Sequence, residues 1–482
     1  AQEALILEAN ELGELNNMVK DCLRCGKCKP VCTTHVPAAN LLYSPRNKIL
    51  ATGLMIEAVL YEEQTRRGIS LRHFEEMNDV ADHCTVCHRC VDPCPVNIDF
   101  GDVTIQMRTI LKRQHKRWFK PIGWISMQFL NVTDPHLIKL MRLGLVTWSY
   151  ALQRMGHQLM RAAGLLKRQK RPAATSGKPE LRGQVVQFFQ RPMPAGMAQK
   201  SPRAVLGIEN ANFIPVIRNP QTTSVESEAL FYFPGCGSER LFGQVEMATL
   251  NMLYDLDVQT VLPPGYLCCG YPQRAAGEES KSHQISMGNR ILFHRIANTL
   301  NYLDIKTVLV SCGTCMDQLM QYEFEQIFPG CRLLDIHEYL MEKGVTLAGA
   351  GDSQYLFHDP CHSPMKRYSA LQVATALTGS EVELSDRCCG ESGTFAITRP
   401  DIASQVKFRK EQALKQDRER LRGAEKILTS CPSCQQGLMR YQQSGLEADY
   451  LVVELARQRH GEAWQLKFRQ TMEQDGLEQV LL

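Results

Sequence analysis

The second half of the chain alternates short continuous apolar runs with amphipathic stretches, while the first half is helical in pattern. "ALFYF" at 229–233, "TVLVS" at 307–311, "QYLFH" at 354–358 and "KILTS" at 426–430 have strand length and read as strands covered on both faces. The intervening stretches 279–300 and 401–420 read as helices that cover the sheet. Upstream, residues 1–20 predict a short lead-in helix. Ser44 can cap a helix whose first position is Pro45, and Ile49, Leu50, Ile56, Val59 and Leu60 recur behind it at helical spacing. Met141, Leu145, Trp148, Leu152, Met155, Leu159, Ala162 and Leu166 alternate steps of four and three, which makes one apolar stripe on a helix. Residues 173–228 are rich in Pro, Gly, Ser and Gln with weak periodicity, and predict a linker.

A chain of 482 residues, 44% of them hydrophobic, buries more than one core, in two or three domains. The net charge of +4 does not indicate a nucleic-acid-binding protein. No run of about 18 apolar residues is present to span a membrane. Charge is uneven, however. Between 106 and 172 the sole acid is Asp134, and Arg142, Arg154, Arg161, Lys167, Arg168, Lys170 and Arg171 flank or follow the stripe, with Trp118, Trp124 and Trp148 close by. Three placements remain open for this segment. They are an interfacial helix on an anionic membrane, a helix docked on a partner subunit or domain, and a core helix with a solvated basic face. The first would bring the chain to a quinone pool at the inner face of the cytoplasmic membrane.

The cysteines change the picture most. There are nineteen, in tight groups, and the start of the sequence has no signal-peptide pattern; the expectation is metal ligation in a reducing, cytoplasmic compartment. The chain begins at Ala1, so it is expected to be processed, trimmed or the tail of a longer polypeptide. Cys22, Cys25, Cys28 and Cys32 form one C-x2-C-x2-C-x3-C run; Cys84, Cys87, Cys90 and Cys94, followed by Pro95, form another. Three thiolates at this spacing wrap three corners of an iron cube, and the fourth crosses to the other cluster. On that rule one [4Fe–4S] cluster takes Cys22, Cys25, Cys28 and Cys94, and a second takes Cys84, Cys87, Cys90 and Cys32. The first run departs from the pattern at its end, where Thr33 follows Cys32 and proline waits until Pro37. Zinc is the competing reading of C-x2-C, but it requires no such three-in-a-row spacing. Lys27, Lys29 and Arg89 are placed to raise cluster potential or simply to be solvated. His35, His83 and His88 read as outer donors or surface residues, because the cysteine set is complete without them.

The remaining cysteines repeat. "FYFPGCG" at 231–237 is answered by "LFHDPCH" at 356–362, "LCCG" at 267–270 by "RCCG" at 387–390, and "VLVSCGTC" at 308–315 by "ILTSCPSC" at 427–434. One supersecondary plan is used twice. Module 1 supplies Cys236, Cys268, Cys269, Cys312 and Cys315; module 2 supplies Cys361, Cys388, Cys389, Cys431 and Cys434. Five cysteines exceed the four of a cubane cluster. Gly270 and Gly390 let the backbone bend at each Cys-Cys pair and approach a cofactor closely. Each strand-like run is followed closely by a cysteine, and ligands of α/β sheets gather beyond the carboxyl ends of strands. His358, Asp359 and His362, around Cys361, read as a hydrogen-bonded turn, with proton delivery as the functional alternative. Cys331 lies outside every motif and reads as a buried apolar residue.

On these motifs the chain resembles the CCG-domain iron–sulfur proteins over about 21–105 and 229–460. Members include the cluster-bearing subunits of heterodisulfide reductase, glycolate oxidase, lactate-utilisation complexes and anaerobic glycerol-3-phosphate dehydrogenase, and the carboxyl-terminal part of large FAD-linked oxidases. The resemblance implies that each five-cysteine module holds a further, non-cubane [4Fe–4S] cluster, or zinc in place of one. The gap before the Cys-Cys pair is shorter in module 2, which leaves open whether both hold the same cofactor.

The expected fold is α+β. A helical two-cluster ferredoxin-type domain (1–105) leads to a basic amphipathic segment (106–172), a linker (173–228) and two α/β cysteine-rich modules (229–350 and 351–482). No G-x-G-x-x-G or P-loop fingerprint is present, so flavin is expected on another chain or domain. Three functions follow. The first, on resemblance, is an electron relay from an FAD-linked dehydrogenase of lactate- or glycolate-type hydroxy acids to a quinone or other acceptor. The second is a heterodisulfide-reductase-like enzyme that reacts at a module cluster. The third is a zinc-bearing scaffold.

Overall fold

The computed structural model describes residues 11–36, 43–66, 71–166, 175–224, 226–347, 354–421 and 424–482. The first ten residues of the expected lead-in helix, Pro37, Lys167, Arg168, Lys170, Arg171 and the boundaries at 172/173 and 350/351 lie outside them.

Four helices build the amino-terminal unit: α1 (Glu11–Asn17), α2 (Pro45–Arg66), α3 (Leu71–Asp82) and α4 (Phe100–Arg113). α2 begins at Pro45, and the Ser44 hydroxyl accepts the Asn47 N–H at 3.3 Å, so the cap reads in the structure as in the sequence. Asp99 caps α4 by accepting the Gly101 N–H at 2.7 Å. Leu15, Ile56, Val59, Met77, Val103 and Met107 close one core between these helices. Each such side chain contributes about 1.5–3 kcal/mol on burial, enough to hold two cysteine loops that have little regular structure of their own.

The basic segment continues as α5 (Pro121–Asn131) and α6 (Pro135–Arg142), a π-helical turn at Leu143–Trp148, and α7 (Ser149–Ala162). Here the sequence stripe divides. Met141 and Leu145 are half-buried against Phe129, Ile138 and Tyr266, but Trp148 is 63% exposed, and Leu152, Met155 and Leu159 are exposed with it. The face of α7 turned to the protein is polar: Gln153 and His157 are buried with Tyr150. Gln153 donates to the Phe188 and Arg191 carbonyls and accepts the Met193 N–H, and His157 Nδ1 meets the Phe189 carbonyl at 2.8 Å. The core-helix placement therefore fails for α7. The π turn fits more residues into one revolution than an α-helical turn, so positions three and four apart no longer share a face across it.

The stretch expected to be a linker contributes structure to both modules. It forms α8 (Leu181–Phe188), a short helix at Pro202–Leu206 and strand β1 (Phe213–Ile217). Pro215 in the middle of β1 hides the strand from a pattern reading, since proline lacks the ladder N–H.

Module 1 holds β2 (Ala229–Phe233), α9 (Gly243–Tyr254), β3 (Gln259–Val261), α10 (Glu279–Thr299), β4 (Ile305–Val310), α11 (Gly313–Leu319) and β5 (Arg332–Asp335). Module 2 holds β6 (Gln354–His358), β7 (Glu381–Leu384), α12 (Pro400–Arg420), β8 (Lys426–Thr429), α13 (Pro432–Met439), β9 (Glu447–Tyr450) and α14 (Leu451–His460). The parallel order β3-β2-β4-β5 in the first is repeated as β7-β6-β8-β9 in the second. The internal repeat is thus one topology folded twice. Module 1 is extended: β1 pairs antiparallel with β3 and with a last strand β10 (Leu477–Leu481). The tail assigned to module 2 therefore returns to module 1, and α14 packs on α9 on the way. Leu230 and Tyr232 share one core with Phe357, Leu428 and Tyr450, and the Tyr450 hydroxyl donates to the Ser311 carbonyl at 2.6 Å. The modules meet across this shared core, to which α9 and α14 contribute Leu250, Leu253, Leu451 and Leu455.

Candidate functional site

Every module cysteine follows the carboxyl end of a parallel strand. Cys236 follows β2, and Cys312 sits at the start of α11 beyond β4; Cys361 follows β6, and Cys431 begins α13 beyond β8. The Cys-Cys pairs lie in the loops after β3 and β7. Their glycines have φ of +92° at Gly270 and +80° at Gly390, the left-handed turn anticipated above. A β-carbon at Gly390 would stand 2.6 Å from the Lys407 side chain, so this turn tolerates no other residue without movement.

The thiols of each module converge. Cys268 and Cys236 sulfurs are 3.8 Å apart, and Cys389 and Cys434 sulfurs 3.4 Å. All nineteen cysteines are free, and these separations are those of thiolates on a shared metal rather than of disulfides. Hydrogen bonds from Cys236 and Cys269 hold the Cys268 thiol well below its ordinary range, and those from Cys361 and Cys389 do the same for Cys388. Alternate cysteines so favour the thiolate a metal needs. The donor set and its burial therefore fit a soft or borderline metal group.

In the amino-terminal unit, Cys22, Cys25 and Cys28 line one cavity with Cys94 and Cys90, walled by Pro45, Ile49 and Phe100. Burial raises the Cys28 thiol. Cys32 ends its run against the second loop: the neighbouring Thr33 hydroxyl pairs with Thr85 at 2.9 Å and approaches the Cys87 sulfur at 3.9 Å. Backbone N–H groups of Val86 and Ile98 donate to the sulfurs of Cys84 and Cys94 at 3.4 and 3.3 Å, contacts that tune iron–sulfur potentials. Val86 and His88 flank Cys87 with φ of +52° and +55°. A β-branched residue at positive φ is strained, and the curl it pays for turns the cysteine loop inward. Burial raises Cys84.

The tertiary structure then brings the units together. Cys87 of the ferredoxin-type loop and Cys361 of module 2 face one cavity, and Cys361 lowers the Cys87 thiol to about 5. Cys431 of module 2 and Cys312 of module 1 face the same cavity and shift one another's thiols in opposite directions. Arg89 donates to the Asp359 and Pro360 carbonyls at 3.3 Å, clamping the loop to module 2. His362 is the common node. It meets the Val86 carbonyl at 2.7 Å, the Tyr271 hydroxyl at 3.0 Å and Asp317 at 2.5 Å, touching all three units. A cavity of about 700 Å³ joins these surfaces, reached by cysteines of both modules and extending to Trp118, Trp124 and Phe129.

Buried Asp82 fastens the assembly. Burial alone would raise it, but Arg117, Lys120 and Arg399 outweigh burial and hold its carboxyl far below the usual range. Arg399 reaches it from module 2 at 3.0 Å, and Arg117 and Lys120 from the segment before α5 at 2.5 and 2.6 Å. Among the histidines, His83 is buried, stacks on Tyr43 and bonds Asp79 and Thr175, so of the outer-donor and surface readings the surface one fails for it. His88 pairs with Asp99 at 2.6 Å. The reading of 358–362 as a self-contained turn gives way to His362 bridging three units. Cys331 is half-buried against the module 1 core and apart from the metal-type cysteines. Sequence reasoning missed Tyr271 and Asp317, which carry no motif and enter only through distant contacts.

Residues 17–98 match a 4Fe-4S dicluster domain, residues 230–320 and 355–439 a cysteine-rich domain, and residues 439–482 a domain of unknown function, DUF3400. The chain is 24% identical to the probable glycolate oxidase iron-sulfur subunit of Bacillus subtilis (strain 168), over 93% of this chain and 94% of that protein. It is 22% identical to the glycolate oxidase iron-sulfur subunit of Escherichia coli (strain K12), over 88% and 90% of the two chains. Lactate utilization protein A of Exiguobacterium sp. is 24% identical over 42% of this chain and 85% of its own length.

Proposed function

We infer that this chain, a CCG-domain iron–sulfur protein and an oxidoreductase component, relays electrons from an FAD-linked dehydrogenase of glycolate- or lactate-type hydroxy acids to a quinone. The ligand sets proposed are Cys22, Cys25, Cys28 and Cys94 for one [4Fe–4S] cluster and Cys84, Cys87, Cys90 and Cys32 for the next. The two five-cysteine modules hold the other centres. Flavins deliver electron pairs while clusters pass single electrons, so a line of clusters adapts one to the other.

The observation that carries this reading is the meeting of cysteines from different units at one cavity, Cys87 with Cys361 and Cys431 with Cys312. It supports an order that differs from the sequence: first cluster, second cluster, module 2, module 1. The similarity to glycolate oxidase and lactate utilization proteins supports the donor class. For the acceptor side, the outward apolar face of Trp148, Leu152, Met155 and Leu159 supports docking at an anionic membrane surface. Among the described residues no helix is long and apolar enough to cross a membrane.

The test is anaerobic mixing of the iron-loaded chain with a glycolate- or lactate-reduced flavoprotein, followed by electron paramagnetic resonance. Cluster reduction at a rate above that with free reduced flavin is expected, and its absence refutes the donor assignment. Flotation with anionic liposomes tests the acceptor side; Trp148→Glu with Leu152→Glu is expected to abolish flotation without lowering the melting temperature. The cavity into which both modules open favours one second reading, reduction of a disulfide at a module centre. Turnover of a heterodisulfide with a chemical reductant, without flavoprotein, would establish it.

A further inference from the structure

The two modules differ at one position that faces the metal-type cysteines. β2 ends at Phe233 and β6 ends at His358, each three residues before the first module cysteine. His358 is 1% exposed. A ring nitrogen of His358 and the sulfurs of Cys389 and Cys434 all lie within 4.8 Å of one another. Nδ1 lies 3.3 Å from the Lys410 nitrogen, whose three hydrogens have closer acceptors in the Ser385 carbonyl and hydroxyl and the Asp386 carbonyl. Nδ1 can therefore carry the ring proton and leave the lone pair on Nε2, which is buried with no hydrogen-bond partner. A buried polar atom left unpaired destabilises the fold. The cost is removed if the atom binds something the polypeptide does not supply. Two thiolates at about 2.3 Å from one tetrahedral centre stand ~3.8 Å apart, close to the 3.4 Å between Cys389 and Cys434.

We propose that His358 is a ligand of the metal group in module 2, through Nε2, so that module 2 holds its metal on mixed nitrogen and sulfur donors and module 1 on sulfur alone. The inference rests on the reading that module 2 holds a metal. It selects an ion of borderline softness, an iron of a cluster or Zn²⁺, because imidazole suits both. Exchanging an anionic thiolate for a neutral imidazole leaves the site less negative, and the same exchange raises the potential of Rieske-type clusters.

The experiment uses the full chain purified anaerobically, with His358→Phe, which installs the module 1 residue. Iron and zinc are counted per chain, and the rate of metal loss to a chelator is followed. The wild type is expected to hold further metal, iron or zinc, beyond the ~8 irons of two cubane clusters. In His358→Phe the metal of module 2 is expected to be lost or to leave ~10-fold faster or more, while those eight irons stay. Circular dichroism melting reports whether the variant folds. Should it not, ¹⁵N-histidine labelling of the wild type decides, by pulsed electron paramagnetic resonance for iron and by X-ray absorption for zinc; a directly bound nitrogen is expected. Equal metal retention in the variant, or no bound nitrogen, overturns the proposal alone. A wild-type content of only eight irons and no zinc overturns it together with the module reading.

Discussion

The two modules are one strand order used twice, yet they are not equivalent. In module 1 the Cys-Cys-Gly turn runs on into Tyr271, whose hydroxyl meets His362. In module 2 it runs on into Glu391, which is buried against Lys407 and Arg440, each at 2.8 Å. Burial would raise Glu391, but those two cations lower it to about 2. Module 2 brings Cys361 to bear on Cys87 of the ferredoxin-type loop, and among the described residues module 1 gains two antiparallel strands. Duplication kept the sheet and the cysteine positions, because the carboxyl ends of parallel strands are where ligands can gather. The residues that set each site's environment are free of that constraint and have diverged.

The sharpest way to break this comparison is to remove one centre at a time. Cys269→Ser and Cys389→Ser are each expected to lose the metal of their own module only, read by metal analysis. In rapid-mixing reduction, Cys389→Ser is expected to stop electrons before module 1, while Cys269→Ser still allows module 2 to be reduced. Equal effects on both would discard the order second cluster, module 2, module 1.

The next largest effect concerns how each module is fastened. Asp82→Asn leaves Arg117, Lys120 and Arg399 around a neutral group at the module 2 junction. A loss of about 3–5 kcal/mol is expected, measured by denaturant unfolding. Module 1 is fastened to α4 by more exposed pairs, Lys112 with Glu278 at 2.5 Å and Arg113 with Glu279 at 2.9 Å. Lys112→Ala is therefore expected to cost no more than about 1 kcal/mol.

A pH effect adds to these in module 1. Glu246 on α9 is fully buried, and both its carboxyl oxygens lack a hydrogen-bond partner. Burial, and then the nearby Glu239, raise its carboxyl to about 8. The native state thus keeps a proton that the unfolded chain releases near pH 4.5. Stability is fully present below that range and falls as pH rises from about 4.5 toward 8. Glu246→Gln is expected to flatten this slope in denaturant unfolding series at several pH values. An unchanged slope assigns the dependence elsewhere.

Much of the site was legible without coordinates. The cysteine spacing, the repeat and the turns at Gly270 and Gly390 are local, and local backbone geometry follows from a few neighbouring residues. β1 was not legible, because Pro215 interrupts its pattern and its partners come from β3 and β10. The role of α7 was not legible either. Its stripe is real, but a helix pattern does not say which face meets the protein, and here buried Gln153 and His157 find backbone partners that lie 30 to 40 residues away.

The sequence by itself determined which cysteines stand at metal-ligand spacing, how they are grouped and that the grouping is repeated, since thiolate chemistry and loop spacing are properties of short segments. Only the tertiary structure decided which group adjoins which. Cys87 meets Cys361, Cys431 meets Cys312 and His362 reaches three units. These are contacts between segments far apart in the chain, fixed by the shared core of the two sheets and by the buried charge of Asp82.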